Sequence, residues 1–342
     1  MHTPRNDTNR ATHAAPSRRR RRRTAAMAAT AAGLTLLAAC GPATAPATDA
    51  GAVDSNTCST TLAVTASVSQ WGALARELGG PCVAVTSLID SSVADPHDYE
   101  PTPADLAALA QADIVVLNGA GYDGWASGAQ FDEERQTVIS IGELMGVDGG
   151  DHDDTPEDHE GHDHGTSNPH LWFSPEAVKT AAQAIGDAYL ERVADDGDAA
   201  TLTGLVDDWN DDYAEFAALL DQGRAQGAAR GYVATESIIG HLLDAIGAED
   251  RTPQAYTNAV NSEAEPSAAD LKAATEAVAD ADVDFLVTNP QEMTGFAEQL
   301  AQAAETAGKP VVAVGEQLSA DQETLLGWLT SITEQILAVG GE

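Results

Sequence analysis

Short apolar runs of strand length alternate with longer stretches of helical period from residue 61 onward, and this alternation restricts the fold more than any other feature of the chain. A strand near 61–66 precedes a helix near 70–78 and a strand near 83–88. Pro103-Ala104-Asp105-Leu106 opens a helix, with Thr102 placed to cap it, Pro103 at its first position and Asp105 near its positive end. Residues 114–118 read as a fully buried strand and 138–141 as another. Helices are expected over 175–193 and 199–222, the second with Leu202, Leu205, Trp209, Tyr213, Phe216 and Leu220 at three-to-four spacing. The alternation then resumes with strands over 232–235, 283–288 and 311–314, and helices over 238–246, 266–279, 294–307 and 323–337. Such a pattern implies parallel sheets covered by helices on both faces. Two α/β lobes on either side of one long helix is the economical arrangement.

The first forty residues have a different character. Six consecutive arginines (18–23) precede a small-residue apolar stretch (25–39) that ends in Leu37-Ala38-Ala39-Cys40-Gly41. The apolar core is too short for a spanning helix, which needs about 20 residues, and it reads as an export signal. The small residues ahead of Cys40 form a lipobox, so Cys40 is expected to carry diacylglycerol and to tether the chain to the outer face of the cell membrane. The arginine run lacks the rest of a twin-arginine pattern, so the general and twin-arginine export routes both stay open. Residues 41–57 are rich in Ala, Thr, Pro and Asp, the composition of a tether that cannot bury a core. The expected organisation is therefore a signal over 1–40, a tether over 41–57, an amino-terminal lobe over 58–197, a linking helix over 198–226 and a carboxy-terminal lobe over 227–342.

Charge and cysteine usage narrow the function classes. Downstream of residue 40 the chain carries nine Lys and Arg against 53 Asp and Glu, a formal charge of −44. A surface this acidic repels nucleic acid and anionic lipid, leaving the lipid anchor as the route to the membrane. Beyond Cys40 only Cys58 and Cys82 remain, each just ahead of an expected strand. Outside the cell such a pair forms a structural disulfide tying the starts of two neighbouring strands.

Two segments place a histidine after a proline in a polar turn: Asp95-Pro96-His97-Asp98-Tyr99-Glu100-Pro101 and Asn168-Pro169-His170-Leu171-Trp172. Both sit where loops leave an α/β core, the edge at which such sheets bind ligands. These segments resemble the first two metal-ligand motifs of the zinc- and manganese-binding solute receptors of ABC transporters, and the resemblance runs from about residue 62 to the carboxyl end. It implies a single divalent ion held between two lobes by His97 and His170 from the amino lobe, Glu236 in Ala234-Thr235-Glu236-Ser237, and a carboxylate after the last strand. Glu316 in Val314-Gly315-Glu316-Gln317 takes that last place where the family usually has Asp, and Glu292 is the alternative. The implied partners are a membrane permease and its cytoplasmic ATPase, with the receptor acting as a monomer.

Two neutral imidazoles and two carboxylates neutralise a divalent ion and leave no obligatory position for a reactive water, which suits binding rather than catalysis. The ligands are 73, 66 and 80 residues apart, so only the folded chain can assemble them. No His-Glu-x-x-His helix, Gly-x-Ser-x-Gly elbow or phosphate-binding glycine loop is present, which argues against a secreted metallohydrolase. A surface metal buffer or adhesin on the same fold is the other alternative. Asp98 and Glu100 read as solvated charges, with acceptors for imidazole hydrogens as the alternative, and His241 reads as a packing residue. Zinc favours nitrogen ligands and four contacts, whereas chelating carboxylates suit manganese. The acidic loop over 148–167, with His152, His159, His162 and His164, points to zinc as a weak capture segment, or is a solvated linker.

Overall fold

The computed structural model describes residues 58–89, 99–127, 129–132, 134–147, 168–225, 230–262, 264–318 and 322–339. Cys40, the tether, His97, Asp98 and the four histidines of the acidic loop lie outside the described residues. Among the described residues, no helix is long and apolar enough to cross a membrane.

The amino-terminal half runs β1 (Leu62–Val68), α1 (Ser69–Gly79), β2 (Val83–Ile89), α2 (Pro103–Gln111), β3 (Ile114–Leu117), α3 (Gly124–Ser127), β4 (Thr137–Ser140) and α4 (Ile141–Leu144). Two long helices follow, α5 (Pro175–Arg192) and α6 (Asp196–Ala225). The carboxy-terminal half comprises β5 (Gly231–Ala234), α7 (Gly240–Ala245), β6 (Glu249–Asp250), α8 (Gln254–Asn261), α9 (Ala268–Val278), β7 (Phe285–Thr288), α10 (Gly295–Ala307), β8 (Val311–Ala313) and α11 (Leu325–Ala338). The strands form two four-stranded sheets ordered β2-β1-β3-β4 and β6-β5-β7-β8, and every pairing is parallel. The α/β class with two parallel sheets flanked by helices, expected from the alternation of periods, is what the chain adopts. Strands β3, β5 and β7 are buried along their whole length, as parallel strands covered on both faces must be.

The two sheets have the same internal order, with the first strand of each flanked by the second on one side and the third on the other. Each therefore has a topological switch point, β1/β3 in one sheet and β5/β7 in the other, where the outgoing loops part and leave a crevice. Tyr122, Glu236, Asn289, Gln291, Glu316 and Gln317 lie on segments leaving the carboxyl ends of β3, β5, β7 and β8, while Asn168 and His170 lie on the segment that leads into α5.

Local chemistry explains the elements. Thr102 and Asp105 form a reciprocal capping box at the start of α2, with Pro103 in the first turn. Ser174, Ser267, Thr294 and Thr324 cap α5, α9, α10 and α11 through their hydroxyls. Helix α6, about 45 Å long at 1.5 Å per residue, carries Asp196 and Asp198 in its first turn and buries Leu202, Trp209, Phe216 and Leu220 on one stripe. One core cluster runs through both sheets and α6, bringing Trp71, Trp172, Phe173, Trp209 and Trp328 into contact with the strands. The ring centroids of Phe173 and Trp328 are 5.0 Å apart. Glu77 on α1 accepts from the Leu325 amide at 2.6 Å, joining α1 to the first turn of α11, and burial pushes its carboxyl up to about 7.

Four elements had no counterpart in the sequence pattern: the single-turn helices α3 and α4, strand β6 and helix α8. Strand β6 is the exposed, charged pair Glu249–Asp250, held by backbone pairing to Gly231 and Tyr232, so it carries no apolar signature. Helix α8 buries only Tyr256 and so has no apolar stripe to read. The expected helix at 238–246 begins at Gly240, because Ile238 and Ile239 occupy a turn ahead of it.

A disulfide joins Cys58 to Cys82, with Cα atoms 5.0 Å apart, just ahead of the paired start Leu62↔Val83 of β1 and β2. Nearby, Asp198 accepts from the amides of Ser59 and Thr60 and from the Ser59 hydroxyl, so the chain is anchored to α6 as it enters the fold. With a sequence separation of 24 between the cysteines, breaking the bond is expected to lower stability by about 3 kcal/mol through the freed unfolded chain. Denaturant midpoints of the Cys58→Ser/Cys82→Ser pair against the parent would measure this; identical midpoints would mean that the bridge contributes nothing.

Candidate metal centre

His170 follows Asn168-Pro169 and opens the 3-10 turn Leu171–Phe173, packed into the core by Leu171, Trp172 and Phe173. Its ring is 8% exposed and meets the Trp172 and Tyr122 rings edge-on, with centroids at 5.5 and 5.9 Å. Asn168 orients it. The Asn168 amide nitrogen donates to the Ser237 carbonyl at 2.6 Å, which turns the amide oxygen toward the imidazole, where Nδ1 lies 2.7 Å away. A carbonyl oxygen only accepts, so Nδ1 carries a hydrogen and Nε2 is the ring nitrogen that can offer a lone pair. That nitrogen is buried and has no hydrogen-bond partner among the described residues. It lies 3.3 Å from Glu316 Oε1, close enough for an ion pair although the geometry is not that of a hydrogen bond.

Glu316 lies on the segment after β8 and is 4% exposed. Its amide and that of Gln317 both donate to Gln291 Oε1, at 2.7 and 3.1 Å, and its carbonyl accepts from Gln70 Nε2 at 2.9 Å. Gly315 permits this approach, since a Cβ there would lie 2.9 Å from the Gln291 oxygen. The Tyr122 hydroxyl donates to Glu316 Oε1 at 2.6 Å. Glu236, in the loop after β5, is half-buried and accepts from Asn289 Nδ2 at 3.0 Å. Burial pushes its carboxyl up to about 8 against the lowering effect of that bond, and the Glu292 and Glu316 carboxylates add to the rise.

The fold thus brings His170 and Glu316 into direct contact and sets Glu236 within electrostatic reach, beside Glu292. Among the described residues, no three His, Cys, Asp or Glu side chains converge closely enough to enclose an ion. Asn289 holds one Glu236 oxygen, and the Glu292 side chain hydrogen-bonds the same carboxyl. The flanks of the segment carrying His97 are in place: β2 ends at Ile89, and Tyr99 packs edge-on against Trp125 at 4.9 Å. Glu100 is exposed. His241 hydrogen-bonds the Asn168 carbonyl at 2.9 Å. Sequence reasoning missed Tyr122, Asn168 as an orienting group, and the glutamines Gln70, Gln291 and Gln317. The one signal that could have exposed Tyr122 is Gly119-Ala120-Gly121 directly after a buried strand, a turn built for unusual backbone angles.

A two-lobed α/β chain whose buried polar side chains gather at the loops leaving two switch points has the build of a cleft-binding protein. The family model described as zinc-uptake complex component A periplasmic (ZnuA) matches residues 64–339, and the chain belongs to this family. The zinc-binding lipoprotein AdcA of Streptococcus pneumoniae serotype 4 is 24% identical over 238 residues, covering 67% of this chain and 45% of that protein. The iron-binding protein YfeA of Yersinia pestis is 32% identical over 119 residues, covering 34% of this chain and 35% of that protein. The chain spans about half the length, or less, of the curated relatives it matches. The fold is that of the periplasmic zinc binding protein TroA from Treponema pallidum, with a TM-score of 0.64 at 18% identity, over 82% of this chain and 99% of that one.

Proposed function

We propose that the chain is an extracytoplasmic zinc receptor, anchored through Cys40, that captures one ion with His97, His170, Glu236 and Glu316 and delivers it to an ABC permease driven by its ATPase. The observation that carries this reading is the buried pair His170 Nε2 and Glu316 Oε1, two electron-pair donors 3.3 Å apart. Such a pair offers two donor atoms that a cation can satisfy together. Donors about 2.0–2.1 Å from a tetrahedral zinc ion stand about 3.3–3.4 Å from one another, so the spacing suits zinc. The family and the zinc-binding relatives support the same ion and argue for binding rather than catalysis.

Manganese is the second reading, favoured by the carboxylates at 236 and 316, since bidentate carboxylates raise the coordination number. The test is the metal content, by elemental mass spectrometry, of protein exported in its own host and purified without chelator or added metal. One zinc per chain is expected. One manganese would assign selectivity to the carboxylates, and no transition metal would remove the receptor reading. Transport assays with the permease would separate an uptake receptor from a surface buffer or adhesin.

A further inference from the structure

Tyr122 belongs to no expected ligand set, yet the fold invests heavily in its position. Gly119, Ala120 and Gly121 have φ of 68°, 53° and 80°, so three successive residues, one of them not glycine, occupy the left-handed region. The buried Asp123 carboxylate holds this turn by accepting from the amides of Asn118 and Gly119 at 2.6 and 2.9 Å. The result is to aim Tyr122, 5% exposed, from the β3 loop of one sheet at the β8 loop of the other. There its hydroxyl donates to Glu316 Oε1 at 2.6 Å and accepts from Gln317 Nε2 at 3.2 Å, while Gln317 Oε1 lies 3.4 Å from Gln70 Nε2. A tyrosine hydroxyl has a single hydrogen, and here it is committed to the carboxylate oxygen that faces His170.

We infer that Tyr122 is a positioning residue that holds Glu316 as a single-oxygen ligand and so sets the preference of the centre for a four-coordinate ion over a six-coordinate one. This rests on the metal-receptor reading above. The phenol occupies a lone pair of Oε1 and fixes the plane of the carboxylate, which prevents the rotation needed to chelate through both oxygens. Zinc is satisfied by four contacts, whereas manganese requires the additional oxygen. Loss of one hydrogen bond to a charged acceptor corresponds to roughly a tenfold change in an equilibrium constant.

The experiment compares the full chain with Tyr122→Phe, which keeps the ring packing on Trp172 at 4.8 Å and removes only the hydroxyl. Zinc and manganese dissociation constants are measured by competition, and cobalt(II) is used as a spectroscopic probe of coordination number. The parent should show the intense visible bands of a four-coordinate cobalt centre. The variant should show weaker bands of higher coordination, with its zinc-over-manganese preference reduced roughly tenfold. Gln317→Met, which removes the donor to the tyrosine oxygen, should move both readouts the same way by less and serves if Tyr122→Phe fails to fold. Parent-like cobalt spectra and parent-like preference in a folded variant would overturn the inference alone. A parent protein that binds none of the three metals would overturn the receptor reading, and this inference with it.

Discussion

Replacing His170 with alanine is expected to weaken zinc binding by on the order of a thousandfold or more, because the change removes a ring nitrogen held 3.3 Å from a buried carboxylate. The fold should survive. The 3-10 turn is held by the buried Leu171, Trp172 and Phe173 and by the Asn168–Ser237 bond, neither of which passes through the imidazole, although its edge contacts to Trp172 and Tyr122 are lost. Circular dichroism should therefore match the parent and the apo melting temperature fall modestly, while the rise in melting temperature produced by zinc disappears, since only the native state binds the ion. His97→Ala is expected to behave alike. Unchanged zinc affinity in His170→Ala would remove this residue from the site. Asn168→Ala offers a graded control: it leaves the imidazole but releases its tautomer and tilt, and a loss of about ten- to a hundredfold is expected.

The second large effect is on pH. Burial raises the Glu236 carboxyl from its ordinary 4.5 to about 8, so in the apo protein it is protonated through most of the range between. An ion that binds the carboxylate must displace that proton. Zinc affinity should consequently rise by about tenfold per pH unit from about pH 5 and level off near 8, with one proton released per ion from this group. Apo stability moves the opposite way. A carboxyl whose folded value lies above its unfolded value contributes stability that is complete below about 4.5 and is lost as pH rises through about 8. Titrations against a chelator calibrated at each pH, run on the parent and on Glu236→Gln, separate this group from others. If the glutamine variant keeps the full slope, Glu236 is not the proton that zinc displaces.

Under the receptor reading proposed above, the opposite signs would give binding and release a physical form: the metal-free chain is most stable with Glu236 protonated, and zinc binding would convert that neutral group into a ligand. The cross-lobe contacts at the same place, Tyr122 to Glu316, Gln70 to the Glu316 carbonyl and Asn168 to Ser237, link the charge on the ion to the register of the two halves. That coupling is what a permease reading the outer surface of its receptor would need.

The sequence by itself determined the elements and their order. Period-two and period-3.6 patterns, with caps such as Thr102 and Ser174, specify helices and strands locally, and Val64, Val116, Val233 and Val287 are buried where an all-apolar strand must be. It also marked the two Pro-His turns, at 97 and 170, as candidates from their polar loop setting, whereas Glu236 and Glu316 became candidates only through the resemblance to a known family. Elements held by backbone pairing alone, such as β6, or by a single buried ring, such as α8, left no periodic trace. The tertiary structure alone decided that His170 meets Glu316, that Asn168 sets the imidazole tautomer through a carbonyl 69 residues away, and that Tyr122 reaches across to the β8 loop. Those relations depend on distances between loops far apart in the chain. They are fixed by the packing of α6 and α11 against α1 and by two switch points facing one another, which no local pattern encodes.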